Sequence, residues 1–138
     1  MKPPRSGKYH GVGLVAGTAE GQALVTREGI AFNLGVDERT GLVIEAGHEL
    51  EGQSVAGKIV ICPSGKGSSA GSFSLLQLAA RGLAPAAIIN IQAEAVIVAG
   101  AVLAKIPLVH RLDVDPTAAI MNGQRIRVDG TTGEVRVI

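Results

Sequence analysis

Three short strand-like runs with continuously apolar centres dominate the second half of this chain: K-I-V-I-C at 58–62, A-A-I-I-N at 86–90 and P-L-V-H at 107–110. A strand with no polar alternation is one covered on both faces. Between the runs lie stretches with helical character, residues 72–81 and 93–104. Strands alternating with helices at this spacing imply βαβ units, a parallel sheet and right-handed crossovers. In the first helix Phe73, Leu76 and Ala80 form one stripe and Leu75, Leu78 and Ala79 another, so most of its girth is expected to be buried. Gly82 stands where a C′ glycine would end it. A further short helix is expected over 115–123, with Pro116 near N1 and Asn122-Gly123 as its stop.

The first half reads as β-rich. Residues 1–10 are expected to be a flexible arm, and 11–138 a single domain. Residues 11–26 suggest two short strands around a glycine turn, I-A-F at 30–32 and L-V-I-E at 42–45 two more, with a turn-rich loop between. The chain closes with a hairpin, two alternating strands around D-G-T-T-G at 129–133. There Arg125, Arg127 and Arg136 alternate with Ile126, Val128 and Val137, giving a wet face and a dry one. The expected architecture is α/β in three layers: a parallel βαβαβ layer with its helices, and an additional β layer.

Composition narrows the function classes. The chain is 46 % hydrophobic and 2 % aromatic, so its core must be Val, Ile, Leu and Ala. A formal net charge of +1 with three aromatics gives neither a basic face nor a stacking platform, so no nucleic-acid partner is expected. The most apolar stretch, residues 86–104, carries Asn90, Gln92 and Glu94, and what remains is too short to span a bilayer, so no membrane association is expected. The N-terminus leads into no apolar signal-like region. Cys62 is the sole cysteine, which rules out an internal disulfide and points to a reducing cytoplasm.

The segment C-P-S-G-K-G-S-S-A-G-S, residues 62–72, leaves a buried strand and opens a helix. Free backbone N–H groups and the positive end of a helix dipole suit an anion there, glycines let a ligand approach, and Lys66 adds charge. The pattern is neither a Walker A loop nor G-x-G-x-x-G. The alternative is a turn of small residues with Ser69 or Ser72 as helix cap. Cys62 fits a small core residue. His10, His48 and His110 show no ligand spacing with Cys62 or one another, so no metal site is expected in this chain. Asn33, Asp37, Glu38, Arg39 and Thr40 read as a solvated turn. Asn90 ends a parallel strand at the edge where ligands gather, and a binding role stays open beside a structural one.

The same loop, followed by L-L-Q-L-A-A-R-G-L-A-P-A-A-I-I-N, resembles the small subunit of aconitase X. So do F-N-L-G-V-D-E-R-T-G upstream, G-A-V-L-A-K-I-P-L-V and the terminal V-D-G-T-T-G-E-V. The resemblance covers nearly all of the chain after about residue 10. It implies a swivelling β/β/α domain and a dehydratase whose active site is shared with a large aconitase X subunit carrying an iron or iron–sulfur centre. In ordinary aconitases a G-S-S-R loop presents a serine base, and G67-S68-S69-A70 matches it. The resemblance thus makes Ser68 the catalytic base and Ser69 its hydrogen-bonding neighbour; with Ser69, the loop residues Lys66, Gly67 and Gly71 and the strand-end Asn90 are the expected substrate-binding residues. Ala70 stands where ordinary aconitases have a carboxylate-binding arginine. Family substrates are small hydroxy acids, cis-3-hydroxy-L-proline or mevalonate 5-phosphate. The alanine-rich, lysine-poor composition favours the first. A free-standing anion-binding or regulatory module is the rival from another class.

Overall fold

A computed structural model describes residues 7–67 and 69–138. The strands are β1 (Lys8–His10), β2 (Val12–Val15), β3 (Thr18–Val25), β4 (Ile59–Cys62), β5 (Ala87–Asn90), β6 (Leu108–His110), β7 (Arg125–Asp129) and β8 (Glu134–Val137). The helices are α1 (Ala70–Ala80), α2 (Ala95–Ala104) and α3 (Pro116–Ala119). The strands hydrogen-bond in the order β1-β8-β7-β3-β4-β5-β6-β2. From β3 to β6 the pairing is parallel, as the apolar runs require, and β2 closes the far edge antiparallel to β6.

β3 belongs to two layers. Thr18 to Gln22 pair antiparallel with β7, while Ala23 to Val25 pair parallel with β4. The apolar side chains divide accordingly. Val60, Cys62, Ile88 and Leu108 pack under α1 and α2 with Leu75, Leu78 and Ile97. Ile59, Ile61, Ile89 and Val109 point the other way, onto Tyr9, Ile126, Val128 and Val135 of the antiparallel layer. The layers are therefore β/β/α, as the sequence implies.

Four expectations need correction. Residues 8–10, assigned to the flexible arm, form β1 paired with β8, because Tyr9 is fully buried between the outward Lys8 and His10. Residues 1–6 lie outside the described residues. The segments at 30–32 and 42–45 are not strands but isolated bridges within a long connection that packs against the core through Ile30, Phe32, Val36 and Val43. α1 is buried on one face only, through Gly71, Ser74, Leu75 and Leu78, and Phe73 is 68 % exposed. α3 has Pro116 at its start as expected, with Asp115 as its cap accepting from Thr117 N–H, but it stops at Ala119, and Gly123 serves the following turn with φ +85°.

Where the two layers meet, backbones touch. A Cβ on Gly13 would run into the Gly130 carbonyl oxygen, so the edge strand β2 can pass the β7–β8 turn only without a side chain. Gly13→Ala should destabilise the domain by about 1–3 kcal/mol, the usual range for overpacking. Equilibrium denaturant melts check this, and an unchanged midpoint would mean that the turn gives way freely.

Candidate functional site

The 62–72 loop leaves β4 at the carboxyl edge of the parallel sheet. Its base is tightly held. The Asn90 amide donates to the Cys62 carbonyl oxygen at 3.1 Å and contacts its Sγ at 3.3 Å. The Ile91 and Gln92 N–H groups both donate to the Pro63 carbonyl at 3.1 Å. The long connection then clamps the loop, with Ile30 N–H donating to Ser64 O at 3.3 Å and Lys66 N–H to Ile30 O at 2.9 Å. The loop is thus sewn to its neighbours up to Lys66.

Glycines make the clamp possible. A Cβ at Gly65 would lie 2.6 Å from Glu94 Oε1, the carboxylate that caps α2 by accepting from Val96 and Ile97 N–H at 2.8 Å each. Gly67 has φ +101°, which disfavours other residues, and a Cβ there would sit 3.0 Å from Asn33 Oδ1. The polar cluster at 33–40 is therefore not merely a solvated turn. Asn33 lies against the loop, and Glu38 accepts from the Ser74 hydroxyl of α1 at 2.8 Å.

Of the sequence-derived candidates, Ser68 lies outside the described residues. Ser69 is the exposed N-cap residue of α1, but its side chain makes no capping bond. Ser72 does not cap either. Its hydroxyl donates across to the Val96 carbonyl of α2 at 3.0 Å. Lys66 is spent on Glu45, Nζ to Oε2 at 2.9 Å, and so presents less net charge than its sequence position suggests. Gly71 is buried under Val96, allowing α1 to start close to α2. Asn90 is fully buried, and its side chain ties β4 to β5 instead of reaching solvent. Glu45 and Glu94 were not singled out in the sequence. Glu94 does stand immediately before the apolar run 95–104, a capping signal that could have found it.

Cys62 is fully buried, and desolvation pushes its thiol up to about 12, against a lowering influence from Asn90. Beside it in register lie Asn90 and His110 at the ends of β5 and β6. Burial holds the His110 imidazole below its ordinary value, with the Arg111 charge adding to the effect. Among the described residues no group of three or more His, Cys, Asp and Glu could hold a metal ion. A neutral, buried thiol is also a poor ligand. The described residues therefore do not fit an iron centre.

A family profile described as the aconitase X swivel domain matches residues 8–137. The chain belongs to that family. The phosphomevalonate dehydratase small subunit of Methanocella arvoryzae is 46 % identical over 90 % of this chain and 94 % of its own length. That of Pyrococcus furiosus is 41 % identical over 95 % and 96 %. A crystal structure of Thermococcus kodakaraensis aconitase X in its holo-form superposes with a TM-score of 0.89 at 40 % identity, covering 95 % of this chain and 98 % of that one. The swivel domain fold and the relation to two-chain dehydratases thus follow from the sequence as expected. The lean toward hydroxyproline gains no support, because these relatives carry the name of the alternative substrate. Among the described residues no helix is long and apolar enough to cross a membrane.

The state of Cys62 makes a prediction. At pH 8 its thiol should resist a disulfide exchange reagent in the folded chain and react within minutes in denaturant, since only the thiolate attacks. Fast reaction of the folded chain would show that the end of β4 opens readily.

Proposed function

We propose that this chain is the small subunit of an aconitase X-type dehydratase, acting on mevalonate 5-phosphate with a large partner subunit in the cytoplasm. The observation that carries the reading is the near end-to-end similarity to chains named phosphomevalonate dehydratase small subunit. The held loop at the sheet edge supports it, because a general base must be positioned before its pKa matters.

In this reading Ser68 takes the proton from the carbon next to the substrate carboxylate, and the hydroxyl on the neighbouring carbon leaves. A serine hydroxyl is a weak base unless fixed dipoles stabilise its oxyanion. The N-terminal N–H groups of α1 and the glycine backbone at 67 supply such dipoles, and Ser69 offers a hydroxyl beside them. Lys66, although paired with Glu45, remains 45 % exposed at its side chain and can exchange partners with an incoming anion. With Ala70 in place of an arginine, the rest of the substrate's negative charge is met by the large subunit. An iron or iron–sulfur centre on that subunit would act as Lewis acid toward the leaving hydroxyl. Asn90 supports the loop from below instead of touching substrate.

Ser68→Ala should lower turnover of the reconstituted two-chain enzyme by about 10²–10⁴-fold with little change in assembly. Single-turnover dehydration of mevalonate 5-phosphate measures it, with cis-3-hydroxy-L-proline as the competing substrate. Normal turnover by the variant removes Ser68 as base, and turnover of hydroxyproline alone reverses the substrate assignment. Lys66→Ala should raise KM more than it lowers kcat. An unchanged KM would leave the lysine to its pairing with Glu45. A wild-type chain that binds anions but pairs with no large subunit would support the non-catalytic module instead.

A further inference from the structure

The two outer faces of the domain have opposite character. On the antiparallel layer the outward side chains are charged and mutually paired. Arg127 meets Glu20 at 2.6 Å, Lys8 meets Glu134 at 3.4 Å and Arg136 meets Glu134 at 3.2 Å. Glu20, Arg127, Asp129 and Glu134 line an open groove of about 560 Å³ on that side. It lies on the antiparallel layer, and its paired charges are those of an ordinary solvated sheet face.

The helical layer is the reverse. Neither α1, A-G-S-F-S-L-L-Q-L-A-A, nor α2, A-V-I-V-A-G-A-V-L-A, contains a charged residue. The exposed positions on α1 are Ala70, Phe73, Gln77 and Ala80. On α2 they are Ala95, Ala99, Val102 and Leu103, so Gln77 is the one polar side chain among the eight. Phe73 is 68 % exposed, Val102 55 % and Leu103 52 %. A helix that is apolar on every side is normally covered on every side. The two helices are also locked together, with Gly100 packed on Ser72 and Leu75 and the Ser72 hydroxyl bonded to Val96. They thus offer one fixed apolar surface, the kind that marks a protein–protein contact.

We infer that the outer face of α1 and α2 is the seat of the large subunit, which reaches the 62–72 loop at one end and extends over Ala99, Val102 and Leu103 at the other. The inference rests on the two-chain reading above. Continuity favours this occupant. Phe73 stands one helical turn from Ser69, so a partner that closes over the loop must meet it. A second copy of this chain on the same face would cover Phe73 and crowd the loop away from any other chain.

The test places a charge far from the loop. Val102→Glu and Leu103→Glu, at half-exposed positions, should leave the melting temperature of the isolated chain nearly unchanged. Each should weaken binding to the large subunit of the same organism by about tenfold or more, as loss of an apolar anchor does. At saturating large subunit the turnover should return to the wild-type value, because α2 takes no part in the chemistry. Arg125→Glu on the opposite layer should bind as wild type. Titration calorimetry and activity against large-subunit concentration read both effects. Wild-type affinity in both α2 variants would overturn the inference. So would a wild-type homodimer that these changes dissociate without altering large-subunit binding. Failure of the unmodified chain to bind any large subunit would instead remove the two-chain reading itself.

Discussion

Everything in this domain hangs on β3 serving two partners. One eight-residue strand pairs antiparallel with β7 through its first half and parallel with β4 through its second. Backbone groups of a buried strand must all find partners, so the division ties the hairpin to the parallel sheet without a covalent cross-link. The crossover needs room. A Cβ on Gly21, near the change of partner, would lie 2.6 Å from the Gly57 carbonyl oxygen. With that junction fixed, the parallel sheet has an antiparallel layer on one face and helices on the other, and its carboxyl edge is left for the loop.

The loop owes its position to hydrogen bonds from the strand ends and the long connection around it. Asn90 bonds the end of β4, Pro63 accepts two N–H groups from the segment after β5, and Ile30 bridges Gly65. Such support from buried polar groups is how a short flexible segment acquires a defined geometry. Glu94 shows the same economy, capping α2 while lying where a side chain at 65 would go. The positive end of α1 and the Lys66–Glu45 pair then set the local field. Read as a sequence position alone, Lys66 carries no sign that a carboxylate 21 positions upstream holds it.

The two outer faces of the domain differ in character. The charges of β1, β3, β7 and β8 pair with each other across and along the strands, while the helices carry none. Reading α1 as buried over most of its girth was wrong for this domain, since Phe73 stands in the open. The physical premise was sound, because an apolar girth does ask for cover. What the sequence could not say is that α1 keeps its outer face open in this domain.

The sequence by itself determined the parallel layer. The apolar runs within 58–62, 86–90 and 107–110 read as strands buried on both faces, and the two helices between them follow from spacing and Gly82. The hairpin was equally legible from its alternation and its D-G-T-T-G turn. The loop could be recognised from its serines and glycines, and the substrate assignment was then shifted by comparison with relatives. Only the tertiary structure decided that β1 exists, that Asn33 and Glu38 border the loop, and that Ser72 bonds α2 instead of capping α1. These are contacts between residues distant in the chain. Local pattern fixes which face of an element is apolar, but the partner met by a polar side chain depends on how the layers stack, and that is a property of the whole fold.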